Sequence, residues 1–438
     1  MKQRTIMTWA GVLAVGLGLA GAGCGADASD ETRGTLSAAV TVTTAQPGPS
    51  ACVLIPYVPA FVQHCGDVTI NSQADADQYQ GIWVIIGNLK LRGGHKVAQI
   101  SQFGDNLYKP GLELTLPDLI QVTKTVELDG DRAAKVDLPK LARVGGDLNV
   151  TLRHFATVQG TTVDISSSTL LLTPALTTIG GSLTLKAVRE SPSSTGSAGK
   201  QFEFGLDQVT SLGGNVTIQD EKLPGSIKGL RGLVSIPGNL SIDWQDNDLE
   251  AQYLMTHVNN VGGDLELLAS INTRMLMGEL LTVGGNLSIG RSPGNTLAGH
   301  VELKTGNVFP KLKKVGGDLV LDATTPIDCV NGEFASLKQV VGHVIIRNTD
   351  MDGHLGTTGA TPLKLGGLEV RNSTGKPPFF SDLKLSAGAP VVLEDNPNLC
   401  SCVLTQLQTN LAAAGWTGTV QLLGSNGSLT CSPCPGCP

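Results

Sequence analysis

Apolar and polar positions along this chain repeat one phrase. An apolar residue, often Pro, is followed by Leu two positions on and Val or Ile three further. Two glycines, a small polar residue and an apolar-x-apolar strand complete it. Near-complete copies are Leu138-Pro139-Lys140-Leu141-Ala142-Arg143-Val144-Gly145-Gly146-Asp147-Leu148-Asn149-Val150 and Phe309-Pro310-Lys311-Leu312-Lys313-Lys314-Val315-Gly316-Gly317-Asp318-Leu319-Val320-Leu321. The glycine core recurs at Gly180-Gly181-Ser182-Leu183, Gly213-Gly214-Asn215-Val216, Gly262-Gly263-Asp264-Leu265 and Gly284-Gly285-Asn286-Leu287. Degenerate copies begin at Gly66, Gly87, Gly238, Gly342 and Gly366.

Spacings of twenty-odd to thirty-odd residues between copies belong to leucine-rich and β-helical solenoids. The expected fold is all-β, a β-solenoid of short strands with coils of about 21–38 residues. Leu-x-x-Val and Leu-x-Leu read as two strands meeting at a corner, with Leu and Val inward and Asp, Asn, Thr and Ser outward. The glycine pair is expected to turn the backbone where a Cβ would clash, including at positive φ. The following Asp or Asn is expected to bond its local backbone and hold the turn.

A solenoid needs closed ends, because an open edge strand recruits another chain. Val391-Val392-Leu393 reads as the last strand. Val403 to Ala414 places Leu404, Leu407 and Leu411 at helical spacing, with Ser401 as N-cap and Gly415 as stop, which predicts a short capping helix.

The first residues run from basic (Lys2, Arg4) through an apolar stretch, Ile6 to Ala20, to small residues before Cys24. That order is a secretory signal, too short for a comfortable membrane span. Small residues before a cysteine resemble the bacterial lipoprotein cleavage box, in which Cys24 would become the acylated N-terminus. Gly21 stands where that family usually has Leu, so ordinary cleavage and free secretion is the alternative. Gly25 after the cysteine, in place of Asp, favours the outer membrane by the same resemblance. The expected organisation is a signal peptide over 1–23, a flexible tether over 24–50 and a solenoid over 51–399. A cap over 400–431 and a Cys/Pro-rich tail over 432–438 complete it.

Eight further cysteines, Cys52, Cys65, Cys329, Cys400, Cys402, Cys431, Cys434 and Cys437, are disulfide candidates in an exported chain. Seven of them lie near the two ends, where staples would serve a solenoid. The formal net charge is −7, and Lys311, Lys313 and Lys314 read as an isolated cluster; with no basic stripe in view, nucleic acid is not an expected partner.

The unit Leu-x-x-Val-Gly-Gly-Asp-Leu-x-Leu, with Asn following in Ile346-Arg347-Asn348 and Val370-Arg371-Asn372, resembles the receptor L-domain family. Asn396-Pro397-Asn398-Leu399-Cys400 is similar to that family's C-terminal cap, and the resemblance spans roughly 52–431. It implies a right-handed solenoid and a binding or wall-associated module. It carries over no ligand-contact residue, because the match lies in core and turn positions.

No motif specifies a reaction. Asp243, Asp246, Asp248 and Glu250 cluster in sequence, as do Asp129 with Asp131 and Asp350 with Asp352, but none has calcium-loop spacing. A glycosidase would need two carboxylates across a cleft, which spacing alone does not supply. Cys431-x-x-Cys434-x-x-Cys437 lacks the context of a redox or zinc site. The expected function is non-catalytic, without cofactor or metal: a lipid-anchored envelope module binding protein or glycan. A purely structural role is the second reading and polysaccharide cleavage the third. Loops that could carry recognition are 154–168, 188–200, 291–300 and 350–361.

Overall fold

The computed structural model describes residues 53–92, 113–131, 135–154, 170–189, 202–220, 227–228, 230–244, 255, 257–269, 277–291, 309–322, 334, 336–351, 362–375, 383–397, 399 and 401–424. Contacts divide the chain into two units, 1–47 and 48–438, and every described residue belongs to the second.

Short strands in that unit form parallel ladders in which each strand's partner belongs to the next repeat. A pre-glycine ladder takes the residues just before each glycine pair, for example Arg143–Val144, Thr178–Ile179, Thr282–Val283 and Lys314–Val315. A post-glycine ladder takes the residues after it, from Val68–Ile70 through Leu148–His154, Leu183–Arg189, Leu287–Arg291 and Leu319–Asp322 to Val391–Glu394. Gln339–Arg347 and Leu363–Arg371 run through the corner and belong to both, with a register irregularity between Val340 and His343. This shared membership joins the ladders without closing them: among described residues, Val68–Ile70 and Val420–Leu423 each have one strand partner, and not each other. All of these pairings are parallel, so the described architecture is predominantly β and solenoid-like.

A third parallel ladder, Glu113–Thr115, Lys135–Asp137, Leu170–Leu172, Phe202–Phe204 and Ile227–Lys228, was not implied by the repeated phrase. Just before the pre-glycine strands the chain makes a tight turn in one repeat after another. Leu141 N–H donates to the Leu138 carbonyl at 3.1 Å, and Leu312 N–H to that of Phe309 at 3.2 Å. The Leu-x-x-Val phrase therefore begins where a turn ends and closes in a two-residue strand. The apolar residue that opens the turn is buried, as at Leu138, Leu206 and Phe309, and Phe309 stacks on Phe334 of the next repeat at 5.7 Å between ring centres.

Burial follows the period of two. Leu148, Val150, Leu183, Leu185, Leu287, Ile289, Leu319 and Leu321 fill one continuous core while alternate residues face out. Because partners are equivalent residues of successive repeats, the core is columns of like side chains. Each column is buried only by the repeats on either side of it.

The glycine pairs act differently from the expectation. None lies at positive φ; the positive-φ glycines are Gly66, Gly81, Gly388, Gly415 and Gly424. What the pairs provide is close approach between stacked repeats. A Cβ on Gly316 would overlap the Gly284 carbonyl, and one on Gly317 would overlap the Asn286 side chain. The polar residue after the pair likewise serves the next repeat and not its own turn. Asp147 accepts from Ser182 N–H (2.7 Å), Asn215 from Asn239 (2.8 Å), Asn239 from Asp264 (2.9 Å) and Asp264 from Asn286 (2.7 Å). Asn286 accepts from Asp318 and Asp318 from His343, both at 2.8 Å. The glycines leave the room that this polar spine occupies.

At the C-terminal end the helix runs Ser401–Ala413, so Ser401 is its first residue and not its cap. Val403, Leu407 and Leu411 are its buried residues, and Leu404 packs only partly. Gly415 at φ +83° ends it. Trp416 Nε1 then donates to the Ala389 carbonyl at 3.1 Å, and one more strand, Val420–Leu423, adds to Val391–Glu394. The ladder thus extends past the strand that the sequence marks as last. No helix among the described residues is long and apolar enough to cross a membrane.

Candidate functional site

Side chains facing outward from the ladders stand in rows set by the strand spacing, about 4.8 Å apart. On the post-glycine face those rows neutralise themselves. Lys90 lies 3.6 Å from Glu127. Arg371 holds Glu369 at 2.6 Å through Nε and Glu394 at 3.1 Å through Nη1, while Arg347 approaches the same Glu369 oxygen at 3.6 Å. At the exit of these strands Asn372 donates to Asn348 (2.7 Å) and Asn348 to Asp322 (2.9 Å). Asn348 and Asn372 take positive φ there, which accounts for the Asn after the Ile346-Arg347 and Val370-Arg371 strands. Asn396 is fully buried, accepting from Ser373 N–H (2.8 Å) and donating to the Val370 carbonyl (3.0 Å).

The pre-glycine face is different. Its outward column reads Gln121, Arg143, Thr178 and Ser211, then Ser235, Asn260, Thr282, Lys314, Gln339, Lys364 and Lys384. The position before it supplies Lys313 and Lys338, joined by Lys338 N–H donating to the Lys313 carbonyl at 2.9 Å. Lys364 N–H in turn donates to the Lys338 carbonyl at 3.1 Å. These columns hold no carboxylate among the described residues, and Lys313, Lys314, Lys338, Lys364 and Lys384 are all exposed. None of the five has an ion-pair partner among the described residues. At the neighbouring corner, by contrast, Lys140 pairs with Asp118 at 2.9 Å and Lys311 with Glu279 at 2.6 Å.

This stripe corrects the sequence reading. Lys313 and Lys314 are not isolated: stacking at one repeat per strand sets them beside lysines 24 to 71 positions further on, a neighbourhood no local window shows. The signal that could have found it was the lysine one or two positions before Val or Leu in successive copies, Lys314-Val315, Lys338-Gln339-Val340, Lys364-Leu365 and Lys384-Leu385.

At the other end Tyr57 and Phe61 are exposed, Tyr57 at φ 67°, and Trp83 is 42% exposed. His64 meets Tyr79 edge to face at 5.2 Å, and burial lowers the His64 pKa and raises that of Tyr79.

Among the acidic candidates, Asp129 and Asp131 lie on Val126–Asp131, in register with Arg92 and Arg153 of the flanking strands. Asp243 lies on the strand Leu240–Trp244 and Asp350 on Asp350–Met351. Asp246, Asp248, Glu250 and Asp352 lie outside the described residues, as do nearly all positions of the four candidate loops. No group of three metal-ligating side chains occurs among the described residues. Cys65 in the first strand and Cys402 in the capping helix are disulfide-bonded. Cys24, Cys52, Cys329, Cys400, Cys431, Cys434 and Cys437 lie outside the described residues.

Comparison with protein-family models, with characterised proteins and with solved structures finds no match to this chain.

Proposed function

We propose that this is an exported, non-catalytic envelope module that binds a protein or a glycan, held to the outer membrane through acylated Cys24. The reading takes the solenoid as right-handed and receptor L-domain-like, with coils of about 21–38 residues. Disulfides staple its ends, and the disulfide-bonded Cys65 and Cys402, in the first strand and the capping helix, support that. The observation that carries the binding role is the outer face of the pre-glycine ladder. It is a carboxylate-free surface among the described residues, with exposed side chains at fixed spacing on strands tied from repeat to repeat by the polar spine. Groups held on a rigid scaffold lose little freedom on binding, which favours recognition.

The test uses the soluble domain from Ala39 onward, incubated with separated protein and polysaccharide fractions of the envelope. Saturable retention of one fraction, with no new sugar ends released, is the expected result. Retention of neither fraction would favour a structural role, and release of sugar ends would make the protein an enzyme.

A further inference from the structure

Resting on the binding-module reading, the geometry points to the lysine stripe as a site for a linear anionic polysaccharide, one carrying carboxylate, sulfate or phosphate at regular intervals. Lys314, Gln339, Lys364 and Lys384 are in register on successive strands, and Lys313 and Lys338 form a second short column beside them. With strands about 4.8 Å apart, the five ammonium groups spread along roughly 15 Å of the ladder.

Like charges on neighbouring strands of one face repel. Lys364 and Lys384 are cross-strand partners, and Lys313 and Lys338 are neighbours, with no carboxylate among the described residues between them. At three other places lysines meet acids: Lys90, Lys140 and Lys311. In a chain of net charge −7, five cations on one face with no acidic partner among the described residues are a local reversal of sign. An anionic ligand removes the repulsion between them.

The form of the stripe selects among anions. It is one to two side chains wide and follows the stacking direction, which matches an extended chain with repeated charges better than a single compact anion. Lysine suits such a ligand because a mobile ammonium donates to carboxylate, sulfate or phosphate oxygens without the fixed planar fork of arginine. Single-stranded nucleic acid gains much of its affinity from bases stacked on aromatic rings. The outward positions beside these lysines, among them Gln339, Val341 and Ser386, include no aromatic side chain among the described residues.

The test compares the wild-type domain with a K313Q/K314Q/K338Q/K364Q/K384Q variant and with the matching five-arginine variant, each checked by circular dichroism and urea unfolding. The probes are polygalacturonate and alginate as polyanions, dextran as neutral control, phosphatidylglycerol vesicles and a single-stranded oligothymidylate. The wild type should bind a polyanionic glycan, ignore dextran and weaken as salt is raised from about 0.05 to 0.5 M. The glutamine variant should bind on the order of thirtyfold less tightly, from five lost exposed charge contacts, and the arginine variant should retain binding. Equal binding by the glutamine variant, or tighter binding of vesicles or oligothymidylate than of either glycan, would overturn the assignment. So would binding of no probe. Retention of envelope fractions is measured on the same two proteins. If wild type and glutamine variant retain them equally, the stripe is refuted while the binding-module reading stands; if the wild type retains nothing, the broader reading fails as well.

Discussion

The Asn286 side chain accepts the backbone N–H of Asp318, one repeat later, at 2.8 Å. Asp318 passes the same bond on to His343, also at 2.8 Å. A residue whose type suggests a local turn device instead fastens one coil to the next.

Asn286→Ala should therefore loosen the stack without altering the turn. The expected loss is about 1 kcal/mol, that of an exposed side chain to backbone hydrogen bond. Asn286→Asp should recover only part of that loss: Asp264 and Asp318 perform the same role in flanking repeats, but three carboxylates would then stand in one row and repel. Urea unfolding of the two variants checks both.

Gly317→Ala and Gly316→Ala should each cost about 3 kcal/mol or more, because the new methyl meets a neighbouring repeat's backbone or its spine residue. Gly278→Ala is the control. A Cβ there meets nothing within 4 Å, so the change should be neutral or stabilising by up to ~1 kcal/mol through the unfolded chain. The contrast separates close approach from a general glycine effect.

Acid should weaken the N-terminal repeats in two steps. Burial lowers the His64 pKa, so the unfolded chain takes up that proton first and stability falls as pH drops below about 6.5, levelling off below the depressed value. The Asp67 carboxylate is held below its ordinary range by the backbone N–H of Asn88 (2.8 Å) and then by the Asn88 side chain (3.0 Å). Its contribution is complete above about pH 4 and is lost as pH falls through the lowered value. Denaturation midpoints measured across this range should show His64→Gln flattening the upper step and Asp67→Asn the lower.

Arg371 sits between Glu369 and Glu394 on the post-glycine face, and Glu369 is only 17% exposed. Arg371→Ala should cost about 1–2 kcal/mol, more than an ordinary surface pair, because it leaves a largely covered carboxylate with Arg347 at 3.6 Å as its cation. Arg371→Ala combined with Glu369→Gln should recover part of the loss, which a double-mutant cycle measures.

Much of the architecture was legible in the sequence. Val315-Gly316-Gly317-Asp318-Leu319 and its copies located both corner ladders, because period-two burial and stacking leave a local trace in each repeat. The third ladder was not legible: Lys135–Asp137 and Phe202–Phe204 share no residue type, only a pairing partner. The glycine role was half legible. A Cβ does clash at Gly316, but with another repeat, and φ is not positive there. The lysine stripe was missed because side-chain neighbours in a stack are a repeat apart in sequence, and net charge averages over faces that the fold separates. Ser401 has the residue type of a cap, yet it is the helix's first residue, an offset of one position that residue type alone does not resolve.

A recognition surface on the pre-glycine face would shield its lysines when ligand is bound. Acetylation of lysines on the domain from Ala39 onward is read residue by residue, with and without the envelope fraction it retains. Protection of Lys313, Lys314, Lys338, Lys364 and Lys384, with Lys90 and Lys140 labelled as before, is the predicted result. Equal labelling of all seven lysines while the fraction is bound would contradict it.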